Sequence, residues 1–397
     1  MNDNRQLNRF VPFCASTSSG FTLLEVIVVM AMFMGVVIIS SQAFNRILSV
    51  STQQTQSSES DTQGVIGLEM LRLDLEHAGY GLPWLLSFVA EFDEAQAAAN
   101  YFAPGVESEK LNDKYNSTSD SNKLPRAVQA VASTTDSRDY LVIKSILAGT
   151  SDTIKKWAYV EGIGASSTLK TWGVNDFVIN ERVITLDSST KRLVGTSTTP
   201  ADFFYTITSA NMVPPVTGSA NFQPQQDTDV YVVYGVAAPP TTASTDLRVP
   251  YNRVDYFVKR PTDMPGRCAP GTGILYKGVM NHAGGGLNQY PLVECVADMQ
   301  VVFNVAADGI NGVDVDESGL SALSAKEIRQ QLKMIKVYIV AHEGGKDSNF
   351  SYNTQNLVVG EGNGRTLDLN ALVGSDEYKK YRWKTYKLVV IPKNINY

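Results

Sequence analysis

Glu25 is the first residue whose type and position demand an explanation. It stands in a run from Phe21 to Ile39 that is otherwise apolar apart from Thr22. A carboxylate at the centre of a membrane segment costs ~2.5–3.5 kcal/mol on insertion scales, and less near an end, where Glu25 lies. Such a group asks for a cationic partner. Cutting the chain after Gly20 would supply one, because the new amine of Phe21 lies at the same depth as Glu25. In a bundle of such helices the carboxylate of one subunit could neutralise the terminus of its neighbour.

The other chemically suggestive clusters are weaker. Asp308, Asn311, Asp314, Asp316 and Glu317 fall within one Gly-containing stretch, and closely spaced oxygen ligands suit a hard cation such as calcium. No Gly occupies the sixth position from Asp308 and no Glu the twelfth, so the spacing is not that of an EF-hand. The alternative is a solvated acidic turn between strands. Gly360-Glu361-Gly362-Asn363-Gly364 follows an apolar run but completes neither a dinucleotide nor a phosphate-loop pattern, and reads as a hairpin turn. His77, His282 and His342 are scattered, and no Ser or Cys stands in a nucleophile elbow. No catalytic residue is therefore expected, and no cofactor other than the calcium just considered.

Cys14 precedes Gly20, which leaves Cys268 and Cys295 as a pair. Outside the cytoplasm an even pair reads as a disulfide, worth ~3–4 kcal/mol in the chain-entropy model; two buried free thiols are the alternative. The formal net charge is −6 with no basic stripe, which argues against a grip on nucleic acid.

These residues need elements to carry them. At ~1.5 Å per residue, Phe21 to Ile39 spans roughly the ~30 Å of a bilayer core. Arg5 and Arg9 on the N-terminal side favour a cytoplasmic start and an outward remainder. Ser40 to Gln63, rich in Ser, Gln and Thr, fits either a solvated helix or a partly melted spacer. Val65, Leu68, Leu71, Leu75 and Ala78 then share one helical face, and Gly79-Tyr80-Gly81-Leu82-Pro83 ends it. Glu94 to Phe102 reads as a short helix and Glu107 to Lys123 as a polar loop.

Strand signals follow at Tyr140–Ile143, Trp157–Val160, Phe177–Ile179, Arg182–Leu186, Val230–Tyr234, Arg253–Val258, Ile274–Lys277, Leu292–Phe303 (one strand or a pair), Ile335–Val340 and Thr385–Pro392. Ser324 and Glu327 have capping-box spacing. The fold class is α+β: a long N-terminal helix, its first half in the membrane, packed on an antiparallel sheet.

The polar leader ending in Gly20, then Phe21-Thr22-Leu23-Leu24-Glu25 and an apolar helix, resembles the N-terminal signal of type IV pilins and pseudopilins. The helix end Leu71 to Gly81, the Pro291 to Phe303 strand, the acidic turn from Asp308 and the terminal strand from Tyr381 to Asn394 are similar to PilW-like minor pilins. The likeness covers both ends of the chain and leaves roughly 84–250 unmatched. It implies a pilin-like fold, cleavage after Gly20 by a prepilin peptidase, methylation of Phe21 and an assembly role for Glu25.

The resulting division is a leader over 1–20, a transmembrane half-helix over 21–40 and an outer half over 41–81. A variable region over 82–250 and a β-rich part over 251–397 follow. By resemblance the chain is a minor pilin of the bacterial inner membrane that moves into the pilus at the cell surface, serving pilus initiation or the tip and thereby twitching motility and adhesion. Its partners would be the peptidase, other major and minor pilins, the inner-membrane assembly platform and a large tip adhesin. The alternatives are a J-type minor pseudopilin of a type II secretion system, or a membrane-anchored adhesin or binding protein. A secretory signal ending at Ser41-Gln42-Ala43 fits less well, since its apolar core would be too long.

Overall fold

The computed structural model describes residues 20–86, 92, 94–96, 105–106, 111–113, 124–173, 176–196, 203–208, 213–217, 220–240, 247–361 and 364–395. The leader, Met1 to Ser19 with Cys14, lies outside them, as do most of Glu94 to Phe102 and of Glu107 to Lys123. Glu94, Ala95 and Gln96, which are described, are not helical.

One helix, α1, runs from Leu23 to Glu76 over 54 residues. The Ser/Thr/Gln-rich stretch is thus helical throughout. Thr52, Thr55 and Thr62 return their hydroxyls to the carbonyls of Leu48, Ser51 and Ser58 one turn back, so these side chains are satisfied within the helix instead of competing with it. Gly79 and Gly81 adopt positive φ just beyond the end, and a side chain at Gly81 would run into Ile146. The chain divides into two compact units, up to Thr55 and from Gln56 onward.

Within the second unit a large antiparallel sheet runs in the order Arg382–Val390, Leu332–Glu343, Leu287–Val305, Gly273–Met280, Asn252–Lys259, Asp139–Ser145, Val128–Ala132. Period-2 alternation gives it two buried faces. Met299, Val301, Val337 and Ile339 join Leu71 and Leu75 of α1 in the main core. Val302, Tyr338 and Val340 turn the other way, toward Leu369, Val373 and Trp383.

The docking face of α1 is the expected one at Leu68, Leu71, Leu75 and Ala78, and differs at Val65. Val65 is exposed, while Gly64 and Gly67 are buried alongside Leu71, Leu75 and Ala78. A Cβ at Gly67 would stand 3.0 Å from Leu292 Cβ and 3.2 Å from the Leu292 carbonyl oxygen. The helix approaches the sheet where it has no side chains. Leu71 and Leu75, fully buried, contribute roughly 1.5–3 kcal/mol each.

The run from Leu292 is one strand, Leu287–Val305, of 19 residues. Its pairing slips near Cys295, which has φ 57, so the first part pairs with Gly273–Met280 and the second chiefly with Leu332–Glu343. Pro291 falls in the part with a single neighbour, the edge setting in which a strand proline is tolerated.

A second sheet has the order Leu85–Leu86, Arg192–Leu193, Arg182–Asp187, Tyr231–Ala237, Trp157–Glu161, Thr168–Leu169. Its small core holds Ala158, Val160, Val183, Tyr205, Phe222 and Val233. Val128–Ala132 and Asp139–Ser145, from the 82–250 region, belong to the large sheet. Phe177–Ile179 is not a strand: Val178 and Ile179 are exposed beside a turn in which Asn180 has φ 72.

Candidate functional site

The start of α1 places the residues singled out first. Gly20 has nothing within 4 Å of where a Cβ would be, and Phe21 is 79% exposed, so the backbone between them is open to approach. The Thr22 hydroxyl accepts from the Glu25 N–H at 3.3 Å, and the Thr22 carbonyl accepts from the N–H groups of Glu25 and Val26. Glu25 therefore occupies the first turn, where the helix dipole favours an anion. Thr22 and Glu25 have the Ser/Thr-x-x-Glu spacing of a helix start, a second reason for a carboxylate here that the sequence carried unread. Among the described residues Glu25 has no ion-pair partner within the chain. The side chains from Leu23 through Ile39 are almost all exposed, and the helix is long and apolar enough to cross a membrane.

Further along, one face of α1 is held by polar contacts as well as by packing. Asp74 pairs with Lys277 at 2.5 Å and accepts the Tyr256 hydroxyl, Lys393 reaches Glu76, and Lys384 reaches Asp61 at 2.9 Å. Away from the sheet, Val65, Ile66, Met70 and Leu73 remain exposed. Ile66, Met70 and Leu73 follow helical spacing and make a stripe that stays partly exposed among the described residues.

Cys268 and Cys295 are joined in a disulfide. The His342 ring lies beside it, packed at 4.7 Å from Tyr381 and 5.2 Å from Trp383. Its Nε2 accepts from the Ala269 N–H at 2.8 Å, and burial pushes its pKa down to about 4. These two cysteines and His342 form the one group of potential metal ligands among the described residues. With the sulfurs bonded to each other, no thiolate is on offer. His282 is buried against Asn252, with a pKa lowered to about 3 by burial and then by Arg182 and Arg248. The His77 Nδ1 lies 2.8 Å from the Leu73 carbonyl. Each histidine has separate surroundings.

The acidic residues considered for calcium are held by local hydrogen bonds. Asp308 accepts from the Ile310 and Asn311 N–H groups and the Asn311 amide, closing a turn. Asp314, on a short strand, accepts from Asn304 and from Lys336 at 2.6 Å. Asp316 caps the helix Glu317–Ser321 through the Gly319 N–H. The four residues are distributed over a turn, a strand and a cap, so their oxygens are directed at separate donors and form no common cage. The Gly360 stretch turns the hairpin Asn356–Val359 to Arg365–Asp368, with Gly362 and Asn363 outside the described residues.

Sequence reading missed a buried ionic cluster. Lys144, fully buried, pairs with Glu94 at 2.7 Å and Asp113 at 2.5 Å. Arg253 pairs with Glu94 at 2.9 Å and Asp255 at 2.7 Å, and Arg126 with Asp113 at 2.6 Å. Tyr251 donates to Glu94 and Tyr140 to Asp255. Burial raises the Glu94 carboxyl, but Lys144 and Arg253 outweigh it and bring the pKa down to about 2. Three cations face three anions, so the cluster is a balanced clamp with no group left over for chemistry. Its partners stand up to 159 residues apart, and the only local signal was a lysine inside the apolar run Leu141-Val142-Ile143-Lys144.

No protein-family model, curated protein or solved structure matches this chain.

Proposed function

We propose that this chain is a filament subunit, a minor pilin that is inserted in the bacterial inner membrane, cut after Gly20 and assembled into a type IV pilus through α1. One observation carries the reading. A single helix begins with an unpartnered Glu25 in its first turn and continues for 54 residues, from an apolar half with exposed side chains to a half docked on an antiparallel sheet. An anchor alone needs neither the carboxylate nor an unbroken continuation whose Ile66–Met70–Leu73 stripe is left for another helix.

In this reading the prepilin peptidase acts at Gly20-Phe21. Other pilins surround α1, and Glu25 meets the Phe21 amine of a neighbour. The β-rich unit from Gln56 onward is bulky for lateral packing around a thin filament, which favours a low-copy place at initiation or at the tip, beside the assembly platform or a large adhesin.

The test is the mature N-terminus by mass spectrometry. N-methylated Phe21 supports the reading, and a start at Met1 or Phe44 overturns it. Deleting the gene then separates filaments: loss of surface pili and twitching is expected, whereas loss of exoprotein secretion alone assigns the subunit to a secretion pseudopilus. Label-free counting in sheared pili should find it as a minor component.

A further inference from the structure

A cavity of about 350 Å³ opens in the second unit, where the end of α1 meets the second sheet, within the lower part of the ~300–1,000 Å³ range of small-molecule sites. Tyr80 and Trp84 come from the segment following α1, Lys191 from the hairpin tip between Asp187 and Arg192, Leu186 and Tyr234 from the sheet, and Asn394 from the chain's last turn. The walls are fixed. The Trp84 N–H donates to the Lys191 carbonyl at 2.9 Å, and the Lys191 N–H to that of Asp187 at 2.8 Å. Tyr80 meets Tyr234 edge-on at 5.7 Å, and Arg329 stacks on Trp84 at 5.2 Å.

Two features mark this cavity. Among the described residues, the Tyr80 and Tyr234 hydroxyls, the Trp84 indole N–H, the Lys191 ammonium and the Asn394 amide have no hydrogen-bond or ion-pair partner in the protein and are reached by solvent, so each is free to bond a ligand. Lys191 also has φ 55, a left-handed conformation that favours Gly or Asn and strains a long side chain. The chain keeps a cation where its backbone would be more relaxed without one.

An aromatic row continues from the rim. Tyr234 stands directly opposite Trp157 in the sheet, and Val232 opposite Tyr159, so Trp157, Tyr159 and Tyr234 share a face. Trp157 packs against Tyr159 at 5.4 Å and Trp172 at 5.1 Å. Trp172 is locked by its indole N–H on the Trp157 carbonyl, and all three are substantially exposed.

We propose that this cavity binds one carboxylated sugar of an acidic polysaccharide, with Lys191 on the carboxylate and Tyr80 and Trp84 against the ring, while Trp157, Tyr159 and Trp172 carry the neighbouring sugars. Lys191 is the one charged residue lining the site among the described residues, so the ligand is an anion. The hydroxyls, the indole N–H and the Asn394 amide ask for a ligand rich in hydroxyls. An aromatic acid would leave these groups unpaired on binding, which is costly. The inference does not depend on the filament reading, because it concerns the second unit alone.

The test uses the full chain in non-ionic detergent, titrated with galacturonate, a galacturonate oligomer and a neutral glucose oligomer, and read by tryptophan fluorescence and calorimetry. Saturable binding of the uronates, tighter for the oligomer and absent for the neutral oligomer, is expected. Lys191→Asn should weaken uronate binding by at least about tenfold, the size of a lost charge-assisted hydrogen bond, while raising the melting temperature because Asn accepts the left-handed backbone. Lys191→Arg should retain binding. No saturable uronate binding up to ~10 mM, weaker than any millimolar site, overturns the proposal. Equal binding of the neutral oligomer, or Lys191→Asn binding as the parent does, overturns it as well.

Discussion

Two glycines three residues apart on α1 allow the docking of helix on sheet to be tested almost free of other variables. Gly64→Ala and Gly67→Ala make the same chemical change on the same helix, so the ~0.8–1 kcal/mol gain in helix propensity is common to both. Their surroundings differ. A methyl at Gly64 meets the Tyr386 hydroxyl at 3.3 Å, the far end of a side chain that can swing, so the substitution should stabilise by about 0.5–1 kcal/mol. A methyl at Gly67 meets Leu292 Cβ at 3.0 Å, Val293 Cγ2 at 3.1 Å and the Leu292 carbonyl oxygen at 3.2 Å, all short of the ~3.5–4.0 Å optimum. Relief requires the helix to lift by ~0.5 Å or more, loosening the contacts of Leu71 and Leu75, at a typical overpacking cost of ~1–3 kcal/mol. Gly67→Ala should then be neutral to ~2 kcal/mol less stable than the parent, and ~1–3 kcal/mol less stable than Gly64→Ala. Urea unfolding of the full chain in detergent, followed by tryptophan fluorescence, measures both. Should Gly67→Ala stabilise as much as Gly64→Ala, the close approach described here is wrong.

Other outcomes follow from the same structure. Lys144→Met strands Glu94 and Asp113 without their shared cation and should cost ~3–5 kcal/mol in urea unfolding; a loss under ~1 kcal/mol would mean the cluster is solvated. Reducing Cys268–Cys295, which closes a 27-residue separation, should lower stability by ~3–4 kcal/mol, read as a shift of the urea midpoint with dithiothreitol. Burial holds His342 neutral, with a pKa lowered from 6.5 to about 4, so the unfolded chain binds more protons between those values. Its contribution is complete above pH 6.5 and disappears as pH falls toward 4, on the order of 3 kcal/mol in all; His342→Gln should flatten the pH dependence of stability across that window. Glu25→Val should leave membrane insertion intact while reducing filament content on immunoblots of sheared pili, and unchanged content would refute the pairing of Glu25 with a neighbouring terminus.

What could be read from the sequence was what local pattern decides. The apolar run from Phe21, the Ser324–Glu327 capping box, formed with both arms, and strands such as Arg253–Val258 and Ile335–Val340 rest on neighbours a few residues away. The docking face of α1 was read correctly at Leu68, Leu71, Leu75 and Ala78 but not at Val65, because hydrophobicity marks Val65 as inward, whereas close approach selected Gly64 and Gly67, a steric criterion that depends on Leu292 and Tyr386 far along the chain. The Lys144–Glu94–Arg253 cluster and the Lys191 cavity were hidden for the same reason: each is assembled by pairings across fifty residues or more. In the acidic stretch, proximity in sequence says nothing of where side chains point: Asp308, Asp314 and Asp316 each accept from a separate nearby donor.

The crosslink at Cys295 also has a mechanical meaning. Gly67 of α1 rests on Leu292 and Val293, two residues before the cystine. Without the crosslink, a strand drawn out there could release the 27 residues back to Cys268, roughly 90 Å of slack at ~3.3–3.6 Å per residue. With it, that length is withheld.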